Sequence, residues 1–201
     1  MVVIDTDAPG VRVKRVFSSL DGTKHAWFEF NGVRVPKTHI VGKSGEGLPR
    51  ALRHVGNIRI ALAAESVGLM RWVLDYLTSH LAAPHRGGAT LGSREGVRLR
   101  YAELRIRAYA ARSMVYRTAR LADASENTVN EAIACKVFAT EALGKVVDTA
   151  IQLVGGRALT VGHPLEALYR RVRVMRLAEG ANDVLRLNLS RGRLDLEKGR
   201  V

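Results

Sequence analysis

Apolar residues recur along this chain with two different periods, and the change of period divides it. Before about residue 47 the apolar runs are short and rich in β-branched and aromatic residues: Val2-Val3-Ile4, Val11-Arg12-Val13, Val16-Phe17 and Ala26-Trp27-Phe28-Glu29-Phe30. Such runs predict strands. Asp7-Ala8-Pro9-Gly10 and Asp21-Gly22 punctuate them as turns. Asn31-Gly32 sits inside Glu29–Pro36 with alternating neighbours, a hairpin signal, and Pro36 closes that strand. Three or four strands are too few to bury a face of their own. Residues 1–47 therefore read as part of a β domain followed by a linker. The linker, Val41-Gly42-Lys43-Ser44-Gly45-Glu46-Gly47, lacks the upstream glycine that a phosphate-binding loop needs and reads as a hinge.

From Leu48 onward the period becomes helical. Ile58, Leu62, Leu69, Val73 and Leu77 predict a first helix over about 52–81, which Ala83-Pro84 breaks. Ser93 is the expected N-cap of a second helix, with Val97, Tyr101, Leu104, Ala108, Ala111 and Val115 along its seam. Asn127 or Thr128 is expected to cap a third, whose stripe runs through Leu143, Val146, Val147, Ala150, Ile151 and Val154 to a stop at Gly155-Gly156. A short helix over 164–177 and a last one over 181–197 complete the pattern. The fold expected is mainly α: an antiparallel four-helix bundle over 48–201, preceded by the short partial β segment.

Composition narrows the function classes. Hydrophobic residues make up 47% and charged residues 25%, so the chain is globular rather than disordered. The lone Cys135 has no partner for an internal disulfide and reads as a buried thiol. Met1 leads straight into Val-Val-Ile-Asp with no basic stretch or long apolar run, and no apolar run approaches the ~18 residues of a membrane span. A cytoplasmic protein without a membrane span is the expectation. The net charge of +13 comes from 32 Lys+Arg against 19 Asp+Glu. The arginines are spread through every helix instead of forming a block, which argues against nucleic acid and for solvated helix surfaces. The six histidines stand at no ligand spacing, and no pairing marks a covalent nucleophile, so no metal is expected.

Three places carry candidate chemistry. Arg86 beside Gly87-Gly88 sets a guanidinium against a bare turn that a pyrophosphate could approach; a solvated loop is the simpler alternative. Gln152-Leu153-Val154-Gly155-Gly156 ends a helix on paired glycines that admit close approach to the backbone, or merely cap it. Glu179-Gly180 puts a carboxylate at a break between helices. Met175, Leu177, Ala178 and Val184 around it suggest an apolar pocket, although a plain C-cap reads as well.

Taken in order, these features resemble the acyl-CoA dehydrogenase family over nearly the whole chain. Phe30–Pro36 with Val41-Gly42 and Gly45-Glu46-Gly47 is similar to the passage ending the family's β domain. Arg59 with Ala63-Ala64-Glu65-Ser66-Val67-Gly68 is similar to the start of its C-terminal helical domain, Gln152–Gly156 to its flavin loop, and Glu179-Gly180 to the pair holding its catalytic base. The resemblance implies an FAD-dependent oxidoreductase of fatty acid metabolism that desaturates the α,β bond of an acyl-CoA thioester. It implies Glu179 as catalytic base; Arg86, Gln152, Val154, Gly155, Gly156, Ala181 and Asn182 toward FAD; and Arg59 and Gly180 toward the acyl-CoA. It further implies a homodimer or homotetramer, since flavin is held across a subunit interface, and an electron-transfer flavoprotein or another acceptor as redox partner.

The sequence also departs from the family pattern. Ala181 replaces its threonine, Arg170-Arg171 replaces an Arg-Asp pair, and the phenylalanine expected after Arg86 is missing. The part matched begins inside the family's β domain. A partial or shortened acyl-CoA dehydrogenase is the reading. The alternative is a non-catalytic helical subunit that forms a hetero-oligomer with a full-length homologue.

Overall fold

The computed structural model describes residues 1–85, 87–197 and 199–201. It separates into two compact units, Met1–Val55 and Gly56–Val201.

The first unit is built on one antiparallel hairpin. Strand β1 (Val11–Ser18) pairs with β2 (Lys24–Phe30), with Val11 opposite Phe30 and Ser18 opposite Lys24, and one irregularity in register between Val13 and Arg15. The turn is formed by Asp21-Gly22, where Gly22 takes φ 85° and the Thr23 N–H donates to the Asp21 carboxylate at 3.1 Å. That network, led by the Ser19 hydroxyl, holds the Asp21 carboxyl down at about 2. Asn31-Gly32 is not a hairpin turn. The Asn31 N–H donates to the Gly10 carbonyl at 2.9 Å, and residues 33–35 then run without a partner strand to Pro36. A strand needs a neighbour for its ladder, and the turn-forming dipeptide alone does not supply one. Val2-Val3-Ile4 likewise makes only an isolated bridge, Val2 to Ile40. Trp27, Phe30 and Val16 stay exposed, so the hairpin buries no face within its unit.

Helix α1 (Gly47–Ala82) starts earlier than its apolar period suggests. Leu48 and Leu52 are exposed, so the first turns carry no seam to read. Pro49 is tolerated there because its missing N–H has no intrahelical partner in a first turn. From Gly56 the buried face of α1 steps through Ala63, Ser66, Met70, Val73, Leu77 and Leu81.

In the second unit α3 (Val129–Val154) is the central element, packing against α2 (Glu95–Asp123), α4 (Pro164–Met175) and α5 (Asn182–Leu194). Its sequence explains the position. Ala139, Leu143, Val146, Val147 and Ala150 are all buried, and the alanines let neighbouring helices come close. The expected seam of α2 is buried at Leu104, Ala111 and Val115 and partly buried at Val97, Tyr101 and Ala108. Ser93 does not cap α2: its hydroxyl donates to the Thr90 carbonyl at 2.7 Å, and Arg94 occupies the cap position. At α3 the Asn127 side chain accepts from the Val129 N–H at 3.2 Å, while Thr128 stands at the cap position without a side-chain bond. Helix α4 is capped by His163, whose Nδ1 accepts from the Leu165 N–H at 3.2 Å. It ends at Met175, and α5 ends at Leu194, each a little before the expected limit.

Leu143→Ala removes a side chain with no exposed surface at the centre of α3. It should cost about 3 kcal/mol of unfolding free energy, whereas Ile106→Ala on the exposed face of α2 should cost under about 0.5 kcal/mol; urea unfolding of both variants checks the contrast.

Candidate active site

Between α4 and α5 the chain reverses through Leu177–Ala181. The Leu177 and Ala178 N–H groups both donate to the Val174 carbonyl, and the Asn182 N–H reaches back to the Arg176 carbonyl at 3.1 Å. Two consecutive residues lie in the left-handed region, Glu179 at φ 55° and Gly180 at φ 104°. Glycine is suited to such a backbone, but a glutamate there costs about 1 kcal/mol. A Cβ on Gly180 would meet the Leu185 side chain at 3.2 Å and the Arg59 guanidinium at 3.4 Å, so the turn is packed as well as left-handed.

Two cations hold this turn. Arg59, from the first turns of α1 within the helical unit, donates through Nε to the Glu179 carbonyl at 3.0 Å. Burial pushes its guanidinium down, partly offset by the charge of Glu179. Lys136, on α3, has no exposed surface at all. Its ammonium donates to the Gly180 carbonyl at 2.8 Å, to the Asn182 Oδ1 at 2.8 Å and to the Arg176 carbonyl at 3.3 Å. Three donors therefore meet three acceptors, all in the segment that carries Glu179. Burial lowers the Lys136 pKa to about 8, with the nearby charge of Arg59 acting the same way and Glu179 and Glu141 opposing. Among the described residues the Glu179 carboxylate itself has no hydrogen-bond or salt-bridge partner.

Behind Lys136 lies a second layer. The Asn182 Nδ2 donates to the Thr140 hydroxyl and to Glu141, both at 3.1 Å. Arg186 grips the two Glu141 oxygens at 2.7 and 2.6 Å. Burial pushes the Glu141 carboxyl up, but Arg186 and Asn182 outweigh it and hold it below its ordinary value.

The structure thus brings together Arg59, Glu179, Gly180, Ala181 and Asn182, and sorts their roles. The Asn182 amide and N–H are both engaged inside the chain, so it serves the turn rather than presenting a side chain outward. Ala181 is the N-cap position of α5 and makes no side-chain cap. The expected apolar surround is only half formed: Met175 is buried, but Leu177 and Val184 are 58% and 53% exposed. Those two lie at the edge of the turn and on the outward side of α5, where no described residue covers them.

Gln152, Val154, Gly155 and Gly156 lie elsewhere. Along α3, Lys136 and Gln152 are ~24 Å apart at ~1.5 Å per residue. Gln152 borders a groove of about 520 Å³ together with Leu99, Arg100, Glu103 and Lys145. Gly155 ends α3 at φ 85°, and a Cβ added at Gly155 or Gly156 would meet nothing within 4 Å. The backbone there is open to approach. Arg86 falls outside the described residues. Arg170 pairs with Glu166, and Arg171 with Glu65.

Sequence reading missed Lys136. A lysine inside an apolar helical stripe, flanked by Cys135 and Val137, was the available signal. Such a lysine needs acceptors, but their identity depends on a chain reversal about forty residues later.

Residues 45–194 match the family model described as "Acyl-CoA dehydrogenase, C-terminal domain". Among curated proteins, the chain is 29% identical to the acyl-CoA dehydrogenase of Bacillus subtilis (strain 168) over 94% of its own length and 50% of that protein. It is 26% identical to the acryloyl-CoA reductase (NADH) of Anaerotignum propionicum, over 94% and 49%. Among solved structures, a chain from work on the electron transferring flavoprotein of Acidaminococcus fermentans superposes with a TM-score of 0.87 at 27% identity, covering 96% of this chain and 51% of that one. A putative acyl-CoA dehydrogenase from Mycobacterium smegmatis gives 0.88 at 25%, covering 94% and 51%. The chain spans about half the length of the relatives it matches.

The buried ammonium predicts a pH signature. An unfolded lysine titrates near 10.5 and the folded Lys136 at about 8. Between those values the unfolded chain binds a proton that the folded chain has released, so stability gained through this group rises with pH. The difference in unfolding free energy between the native chain and Lys136→Met should therefore grow in favour of the native chain from pH 8 to pH 10, as read by urea unfolding at each pH. A flat difference would remove Lys136 as a buried titrating group.

Proposed function

Since this chain belongs to the acyl-CoA dehydrogenase family, matching its C-terminal domain, we propose that it forms the helical half of an acyl-CoA dehydrogenase active site, with Glu179 as the base. The observation that carries this reading is the turn itself. Glu179 is held in an unfavourable backbone conformation by Arg59 and by a buried lysine, while its carboxylate makes no hydrogen bond or salt bridge with any other described residue. Strain that persists under so many restraints is a mark of a working position.

In this reading a Glu179 carboxylate oxygen takes the α proton of an acyl-CoA thioester. Arg59 and Lys136 hold the main chain on either side of that residue, so the backbone that carries the carboxylate is ordered before the substrate arrives. A bound FAD supplies the hydride acceptor for the β hydrogen. Residues toward FAD are the open backbone at Gly155-Gly156 with Gln152 and Val154, and Arg86 by its position in the sequence. The ~24 Å along α3 between Gln152 and Lys136, which anchors the Glu179 turn, supports the reading of a cofactor shared between two chains in a homodimer or homotetramer. An electron-transfer flavoprotein, or another acceptor, would be the redox partner of that cofactor. A second reading is a non-catalytic helical subunit that forms a hetero-oligomer with a full-length homologue; the exposed Trp27 and Phe30 of the hairpin and the exposed Leu177 and Val184 beside the turn offer apolar surface to such a partner.

The purified protein should be yellow or take up added FAD, and acyl-CoA thioesters should bleach the flavin absorbance. Glu179→Gln should retain FAD and abolish bleaching. A colourless protein that takes up no FAD overturns the enzymatic reading for this chain, and undiminished bleaching by Glu179→Gln removes that residue from the reaction. Co-purification with a larger homologue supports the subunit reading.

A further inference from the structure

Lys136 is the largest side chain in the fully buried interior, and the reaction assigned to Glu179 makes no use of it as acid or base. All three of its hydrogen-bond partners belong to one short segment, Arg176 to Asn182. None lies on its own helix. A buried ammonium forfeits its hydration, and the interior must return three acceptors with good geometry. Here two of them are main-chain carbonyls that flank Glu179 in sequence, so the position of the ammonium fixes the path of the backbone on both sides of that residue.

The fold does not need a charge at this point for packing. Its buried neighbours on α3 include Ala132, Ile133, Cys135 and Ala139, and besides these Thr140, which serves Asn182; an apolar residue in place of Lys136 would continue the apolar part of that stripe. A hydrocarbon side chain would, however, leave the Gly180 carbonyl without this donor, and the reversal through two left-handed residues would lose its inner anchor. Arg59 restrains the same turn from a different helix and a different carbonyl, that of Glu179. Arg59 fixes the peptide plane between Glu179 and Gly180, and Lys136 fixes the next one, between Gly180 and Ala181, so together they set the two planes on either side of Gly180. The second layer of Thr140, Glu141 and Arg186 fixes the Asn182 amide so that its oxygen faces the ammonium.

We propose that Lys136 is a positioning residue of this site: anchored in α3, its ammonium locks the Arg176–Asn182 reversal and so sets the carboxylate of Glu179 for proton abstraction. The proposal rests on the assignment of Glu179 as base, and its first test is independent of that assignment. Lys136→Met keeps the length and apolar stem of the side chain and removes all three donors. Lys136→Gln retains two N–H donors on a shorter stem.

Amide hydrogen exchange on the full chain should show Ala178–Asn182 exchanging at least about tenfold faster in Lys136→Met than in the native protein, with α3 core amides such as Val146 and Val147 unchanged. Lys136→Gln should lie between the two. Equal acceleration across the helical unit, or none in the turn, overturns the proposal. In the flavin-loaded protein the rate of bleaching by acyl-CoA should fall by at least about tenfold in Lys136→Met while the substrate concentration for half-maximal bleaching stays the same. A loss confined to that half-maximal concentration overturns it too. If the native protein itself shows no bleaching, the enzymatic reading fails while the exchange comparison still decides whether Lys136 locks the turn.

Discussion

A lysine ammonium shut away from water must be surrounded by acceptors, and that requirement organises the helical unit. Lys136 meets it by drawing in the Arg176 and Gly180 carbonyls and the Asn182 amide oxygen. Satisfying three donors at one point forces α4 to end, the chain to reverse through two left-handed residues, and α5 to begin with Asn182 tucked beneath the turn. Half of this arrangement would be worse than none, since an acceptor left unpaired in the interior costs more than a made bond contributes. The cluster is therefore an all-or-none element, and its rigidity passes directly to Glu179.

The apolar packing places that cluster. Helix α3 carries Lys136 near its start and an unbroken stripe of small and branched residues behind it, so the ammonium is held in register with the neighbours of α3. Arg59 approaches from α1 and grips the adjacent carbonyl. The result is a glutamate whose main chain is tightly restrained and whose carboxylate bonds to no other described residue. Stability alone offers no reason for that combination, because glycine or asparagine would occupy the Glu179 backbone at lower cost. A function that needs a free carboxylate on a fixed turn does offer one.

The two exposed leucine-and-valine positions beside the turn, Leu177 and Val184, belong to the same logic. They lie uncovered next to the candidate base, as does the open backbone at Gly155-Gly156 at the far end of α3. Both offer surface to a partner chain of the kind proposed above. A hairpin that buries no face within its unit points the same way.

Much of this was determined by the sequence alone. Period fixed the three long helices, because an apolar seam repeated over many turns admits only one pairing with a core; α2 and α3 turned inward the residues that their spacing singled out, some fully buried and the others, such as Val97, Tyr101, Ile151 and Val154, partly. The glutamate–glycine break was visible for the same reason, as an interruption in a strong pattern. Where the signal was a single residue or dipeptide, the tertiary structure decided. Asn31-Gly32 had the chemistry of a hairpin turn but no strand to receive it, and Asp21-Gly22 did. Ser93 had the chemistry of a cap, yet bonded to Thr90 instead. Asn182, which the resemblance set toward the cofactor, has its side chain bonded to Lys136, Thr140 and Glu141. Lys136 was legible only as an oddity in an apolar stripe, because the acceptors that give it meaning are supplied by a reversal far along the chain. Local patterns carry the energy of many residues and survive folding; a lone polar group is defined by the partners that folding brings to it.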